Sequence, residues 1–192
     1  MRTTRRTEPR TDAERELLSY LQQIARLRAT MPGVRALTYK GIEDFLLRHG
    51  SFYTPTALPQ EVTRGIMKAC YHNAFRLAAR RKSLRFVEGV AVGIIPVDHA
   101  WCVNARGEVI DPTWEDATSG ERAKRAYFGV EINLTAVRRA IRDHESYSVL
   151  QSDWMRAKRA RGCVLLGQID EVIDPKPFFT ALTADRQIGG AL

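Results

Sequence analysis

The apolar residues of this chain change period at Lys82, and that change limits the folds open to it. Before Lys82 they recur at helical intervals, whereas "SLRFVEGVAVGII" that follows is rich in valine and isoleucine and alternates as a strand does. Pro96 breaks the run. Two further stretches, "VDHAWCV" and "EVIDPTW", flank the turn "NARG", where Gly107 can take the positive φ that a tight connection requires. Helices first, then antiparallel strands that are neighbours in sequence, read as an α+β fold.

Thr11 and Glu14 have capping-box spacing, and Leu17, Leu18, Leu21, Ile24 and Leu27 then follow on one helical face to about Thr30. Met31-Pro32-Gly33 ends that helix. "GIEDFLLRHG" fits a second helix stopped by Gly50, and "SFYTPTALPQ", with its two prolines, reads as a loop. "EVTRGIMKACYHNAFRLAARRK" reads as helix, with Ile66, Ala69, Cys70, Ala74, Leu77 and Ala78 as a narrow apolar stripe. Gly65 can divide it, so that the helix carrying Cys70 starts shortly before that residue.

Beyond the hairpin, "YFGV" from Tyr127 reads as pocket wall or core, "NLTAVRRAIRDH" and "SDWMRAKRARG" as helices, and "CVLLGQIDEVI" as a final strand or buried connection. These elements predict one α+β domain over residues 11–192 with its core at about 60–130. N-terminal helices precede a helix packed on an antiparallel sheet, and C-terminal helices follow. The arginine-rich residues 1–10 are expected to form a flexible basic arm.

Composition narrows the partners more than the chemistry. A net charge of +8 and a pI near 9.8 suit an acidic partner on a basic surface. Nucleic acid is disfavoured, because the arginines are scattered and no nucleic-acid motif accompanies them. Cys70, Cys102 and Cys163 form an odd set without a CxxC pair, which points to free thiols in a reducing, cytoplasmic setting. No apolar run approaches the roughly 20 residues of a membrane span. The chain has no P-loop, no GxGxxG and no calcium-type loop, so neither a cofactor nor a metal is expected.

Pleating puts His99, Trp101 and Val103 on one face of their strand and Asp98, Ala100 and Cys102 on the other. Cys102 therefore reads as a small buried hydrophobe, pointing away from His99. A hairpin register centred near Ala105 brings Asp111 opposite His99, where a carboxylate can fix the imidazole tautomer and stabilise its cation. A core histidine and a turn-forming aspartate before Pro112 would explain the same two residues without chemistry. Cys70 decides between these readings, because a thiol at a helix start beside a histidine is drawn toward thiolate.

The helix cysteine, the "RFVEGVAV" strand, "HAWCV" and "VIDPTW" together resemble the transglutaminase-like branch of the papain-like thiol enzymes over about residues 60–115. The resemblance implies Cys70 as nucleophile, His99 as base and then acid, and Asp111 as the orienting group. It also implies acyl transfer through a thioester on a peptide or protein amide, as a peptidase, an amidase or a transglutaminase. The Cys70 backbone N–H is the expected first oxyanion donor, and Gln60 is a candidate second one. Family cysteines commonly follow a glycine and precede an aromatic; here Tyr71 is kept but Ala69 replaces the glycine. Asn73 either lines the site or bonds to local backbone, and Trp101 and Trp114 either shield the imidazole or stack on substrate. A non-catalytic module on the same fold, binding an acidic partner or nucleic acid by its basic surface, is the alternative.

Overall fold

A computed structural model of the chain describes residues 6–32, 34, 37, 39–114 and 118–152. Helix α1 (Asp12–Ala29) begins at the expected cap, where the Thr11 hydroxyl accepts the Glu14 N–H. Glu14 is itself buried. Its two carboxylate oxygens take the Arg6 guanidinium at 2.7 Å each, and the Arg10 N–H adds a third bond. Arg6 also accepts the Phe52 N–H on its carbonyl and lies over the Phe52 ring, so residues 6–10 are tied to the domain's first strand. Leu17 and Leu21 are fully buried, while Leu27 near the helix end is exposed.

Helix α2 (Ile42–His49) buries Phe45 and Leu46 and leads directly into β1 (Ser51–Tyr53), a strand within the stretch expected to be loop. Of the helix expected from Glu61 onward only the part beyond the division that Gly65 allows forms: α3 (Cys70–Arg80) starts at the cysteine itself. Lys68, at φ 65°, is left-handed and cannot belong to a continuing helix. The strands β2 (Arg85–Val92) and β3 (Pro96–Val103) pair along their whole length, from Arg85 with Val103 to Val92 with Pro96. The return strand β4 (Val109–Ile110) pairs only with Val103 and Cys102. Gly107 has the positive φ expected of it, 74°. Asn104 braces the same turn by accepting the Arg106 and Glu108 N–H groups on its side chain.

After the short capped helix α4 (Ser119–Ala123), strand β5 (Ala126–Ile132) inserts between β1 and β2. The sheet order is β1-β5-β2-β3-β4, every pairing antiparallel. Beyond β1, Thr54 donates its N–H to Gly107 O and accepts the Val109 N–H, which brings the first strand to the last and curls the sheet. Gly89 and Gly129 face one another at its centre. A Cβ on Gly129 would lie 2.5 Å from Glu88 O and 2.8 Å from the Trp101 ring, so the close approach of β2, β5 and Trp101 depends on the missing side chain.

The pleat then separates two packed faces. Phe86, Val90, Ala100, Cys102, Phe128 and Val130 meet Ala74 and Ala78 of α3 together with α1 and α5 (Leu134–His144). Tyr53, Val87, Ala91, Trp101, Val103 and Tyr127 form the other core, closed by Trp114. Past α5, the buried carboxylate of Glu88 accepts the Ser148 hydroxyl at 3.0 Å, the Val149 N–H at 2.7 Å and the Leu150 N–H at 3.1 Å. It thereby satisfies donors at a helical turn start from inside the sheet. The expected helix "SDWMRAKRARG", apart from Ser152, and the expected strand "CVLLGQIDEVI" lie outside the described residues, as does Cys163. Among the described residues no helix is long and apolar enough to cross a membrane.

Candidate active site

Cys70 reaches the sheet because β4 stops after two residues, leaving the outer edge of β3 without a strand partner among the described residues between Pro96 and Trp101. Into that edge α3 directs its first residue. The His99 ring and the backbone N–H groups of Ala100 and Tyr71 lie close enough to the Cys70 sulfur to act on its charge. His99 Nε2 donates to Asp111 Oδ2 at 2.7 Å, so Nδ1 is the nitrogen left for Cys70. His99 and Asp111 are buried, at 2% and 8% exposure, and Cys70 is half-buried. His99 thus bonds to Asp111 and interacts with Cys70, which sets the three residues side by side.

The hairpin register differs from the expected one. Cys102 pairs with Ile110 and Val103 with Val109, a frame that continues to place Asp111 opposite Trp101 rather than His99. The Asp111–His99 bond is therefore a diagonal one on the same face of the sheet. Each residue of "DPTW" has a separate part in holding it. Asp111 Oδ1 accepts the Thr113 N–H at 2.8 Å and the Trp114 N–H at 3.3 Å, the Pro112 carbonyl accepts the Gly65 N–H at 2.7 Å, and Trp114 stacks on His99 at 4.4 Å. Thr113 meets the other loop through Asn73, whose Nδ2 donates to Thr113 Oγ1 at 3.0 Å.

Asn73 is buried and spends the rest of its amide on Ile66, accepting its N–H at 3.1 Å and donating to its carbonyl at 2.7 Å. It clamps the loop before Cys70 to the loop after Asp111, and that is its part in the site. The Tyr71 side chain lies near Ser148 and Glu88, while its backbone N–H acts on the charge of the Cys70 sulfur. Trp101 is fully buried and lies 6.2 Å from His99 with the rings 21° apart. Gln60 is exposed in the turn closed by the Val62 N–H and the Pro59 carbonyl, and none of its described contacts reaches Cys70. Cys102 is buried on the opposite face, donating to the Ala74 carbonyl.

Three groups at the site had no role assigned from the sequence, which read Tyr127 only as pocket wall or core. The Tyr127 hydroxyl, buried, donates to Asp111 Oδ2 at 3.1 Å, and Arg125 in turn bonds to that hydroxyl and lies over the Trp114 ring at 5.3 Å. Tyr127 lies at the start of β5 and Arg125 just before it, beside the site only because β5 pairs with β2. Third is the Ala100 N–H, which a sequence shows only as one more strand amide.

The electrostatics follow from this geometry. Burial opposes a charge on Cys70, but the His99 hydrogen bond and charge, with the N–H groups of Ala100 and Tyr71, outweigh it and lower the thiol pKa. For His99 burial favours the neutral ring, yet Asp111 and Cys70 together raise its pKa to about 9. Asp111 is likewise opposed by burial and held below the usual carboxylate range by His99 and by the two backbone N–H groups. Burial pushes the Cys102 thiol up, so it stays protonated and inert. The lowered thiol and the raised imidazole both shift toward an anionic sulfur beside a cationic ring. Compared with family models, with curated proteins and with solved structures, the chain matches none.

Proposed function

We propose that this chain is a cysteine-dependent acyl-transfer enzyme, a peptidase or amidase of the transglutaminase-like, papain-like kind, working through a thioester on Cys70. The observation that carries the reading is the line Cys70–His99–Asp111, buried at its histidine and carboxylate and shifted toward the ion pair at both ends. The Cys70 thiolate attacks the amide carbonyl carbon, and the carbonyl oxygen takes the negative charge. The backbone N–H of Cys70, the first residue of α3, is the donor this reading assigns to that oxyanion. Collapse breaks the carbon–nitrogen bond as the Nδ1 proton of His99 passes to the leaving amine. Neutral His99 then takes a proton from water, or from an amine, as it attacks the thioester, and the thiolate is released.

Asp111 keeps Nε2 as the donor throughout, so the ring presents Nδ1 to the thiol. An activated ester such as p-nitrophenyl acetate tests the reading with no knowledge of the natural substrate. The expected result is a burst of nitrophenol and an acetyl group on the peptide containing Cys70, both abolished in Cys70→Ala. Ester cleavage that survives in Cys70→Ala, or an adduct found elsewhere, rejects it.

A further inference from the structure

Beside the site lies a groove of about 550 Å³ between α3 and the loop that precedes it. It is bounded by His72 and Asn73 at the Cys70 end, by Pro112 next to Asp111, and by the arginines Arg64, Arg76, Arg80 and Arg81 along its length. Glu61 is its one carboxylate among the described residues, and it is already engaged with Arg81 at 3.7 Å. Arg64 donates to the Trp114 carbonyl, so it belongs to the wall. Arg76 and Arg80 differ. They stand one turn apart on α3, are exposed, and have no acidic partner among the described residues.

We infer that this groove receives an acidic segment of the peptide whose amide reacts at Cys70. The argument is one of charge and reach. Four guanidinium groups around one carboxylate leave a field that favours an anionic chain, while Leu77 and Pro112 give its backbone an apolar floor. Along α3, Arg76 lies about 9 Å and Arg80 about 15 Å beyond Cys70, at roughly 1.5 Å per residue. An extended peptide advances about 3.3 Å per residue. Its carboxylates therefore meet these arginines about three to five positions from the reacting amide. The inference rests on the acyl-transfer reading for the position of that amide, but the charge preference of the groove does not depend on it.

The test uses the full chain as Cys70→Ala and a fluorescent peptide with one glutamine followed by a run of glutamates, against a twin with glutamines in their place. Fluorescence anisotropy at about 50 mM salt is expected to show the acidic peptide bound about tenfold more tightly, a preference that shrinks at about 300 mM. Adding Arg76→Glu and Arg80→Glu removes the preference, and Arg76→Gln with Arg80→Gln removes most of it. In the wild type, the acidic peptide slows iodoacetamide alkylation of Cys70 and its twin does not. The inference is overturned if the twin binds as well, or if charge reversal keeps the preference. It is equally overturned if bound acidic peptide leaves alkylation untouched, or if an oligonucleotide of equal charge displaces it more readily than the unlabelled peptide does. Failure to form a thioester with the nitrophenyl ester would reject the enzyme reading while leaving the binding preference in place, so the two failures are separable.

Discussion

At the scale of single residues the account rests on His99, which two anionic neighbours raise to a pKa of about 9 against the pull of burial. The proposed acyl transfer needs the Cys70 thiolate and the His99 proton together, so its rate should rise through the lowered thiol pKa and fall as pH passes about 9. Asp111→Asn removes the carboxylate that raises His99, so the alkaline limb should move down and the acid limb up. The rate should also fall by about a thousandfold, read as the pH profile of nitrophenyl ester turnover. Tyr127→Phe takes one of four donors from the Asp111 carboxylate. A loss of about 1 kcal/mol in denaturant unfolding is expected, with a smaller effect on rate than Asp111→Asn. The identities of Cys70, His99 and Asp111 could be read because their neighbours in sequence are distinctive. The sequence left Tyr127 open between pocket wall and core and gave Arg125 no role, since their place in the site depends on a strand pairing between segments far apart in the chain.

At the scale of elements, what local pattern encodes and what it does not divide cleanly. The cap at Thr11, the stop after α2 and the turn at Gly107 are local, and periodicity places α1, α2, β2, β3 and α5. Strand β5 was not legible, because it is buried on both faces and has no alternation to show. Strand β1 is three residues long between a glycine and a proline-rich loop, and only its pairing with β5 makes it a strand. The late start of α3 depends on Asn73, which holds Ile66 in place from within the helix while Lys68 takes a left-handed conformation. Asn73→Ala should leave the two Ile66 backbone groups without their partner. A destabilisation of about 2 kcal/mol is expected by urea unfolding, together with slower alkylation of Cys70 as its loop loosens. Lys68→Gly relieves the left-handed strain and should hold or raise the melting temperature, whereas Lys68→Val should lower it.

At the scale of the whole molecule, the curl of the sheet brings the site's parts together. Among the described residues β4 stops short of Ala100 on the edge of β3, and β4 is held by Thr54 from the opposite end of the sheet. Gly129→Ala should therefore cost about 1–3 kcal/mol, since the added methyl meets both Glu88 O and the Trp101 ring, and a thermal melt reads the loss. The stability of the whole fold should also follow the ion pair. His99 has a raised pKa, so its contribution is complete below the unfolded value of about 6.5 and is lost as pH rises through about 9. Asp111 has a lowered one, so its contribution is complete above the unfolded value of about 3.9 and is lost as pH falls through the folded value. The net charge of +8 belongs to this scale too, and the arginines of α3 show how part of it can be directed rather than scattered.

The measurement that tests the central claim most directly is the pH dependence of Cys70 alkylation by iodoacetamide, read by mass spectrometry of the Cys70 peptide in wild type and in His99→Ala. The account predicts rapid alkylation well below the roughly 8.5 of a free thiol in wild type, shifted to the ordinary range or above it when His99 is removed. Coincident profiles in the two proteins, with both midpoints at or above the free-thiol value, would contradict it.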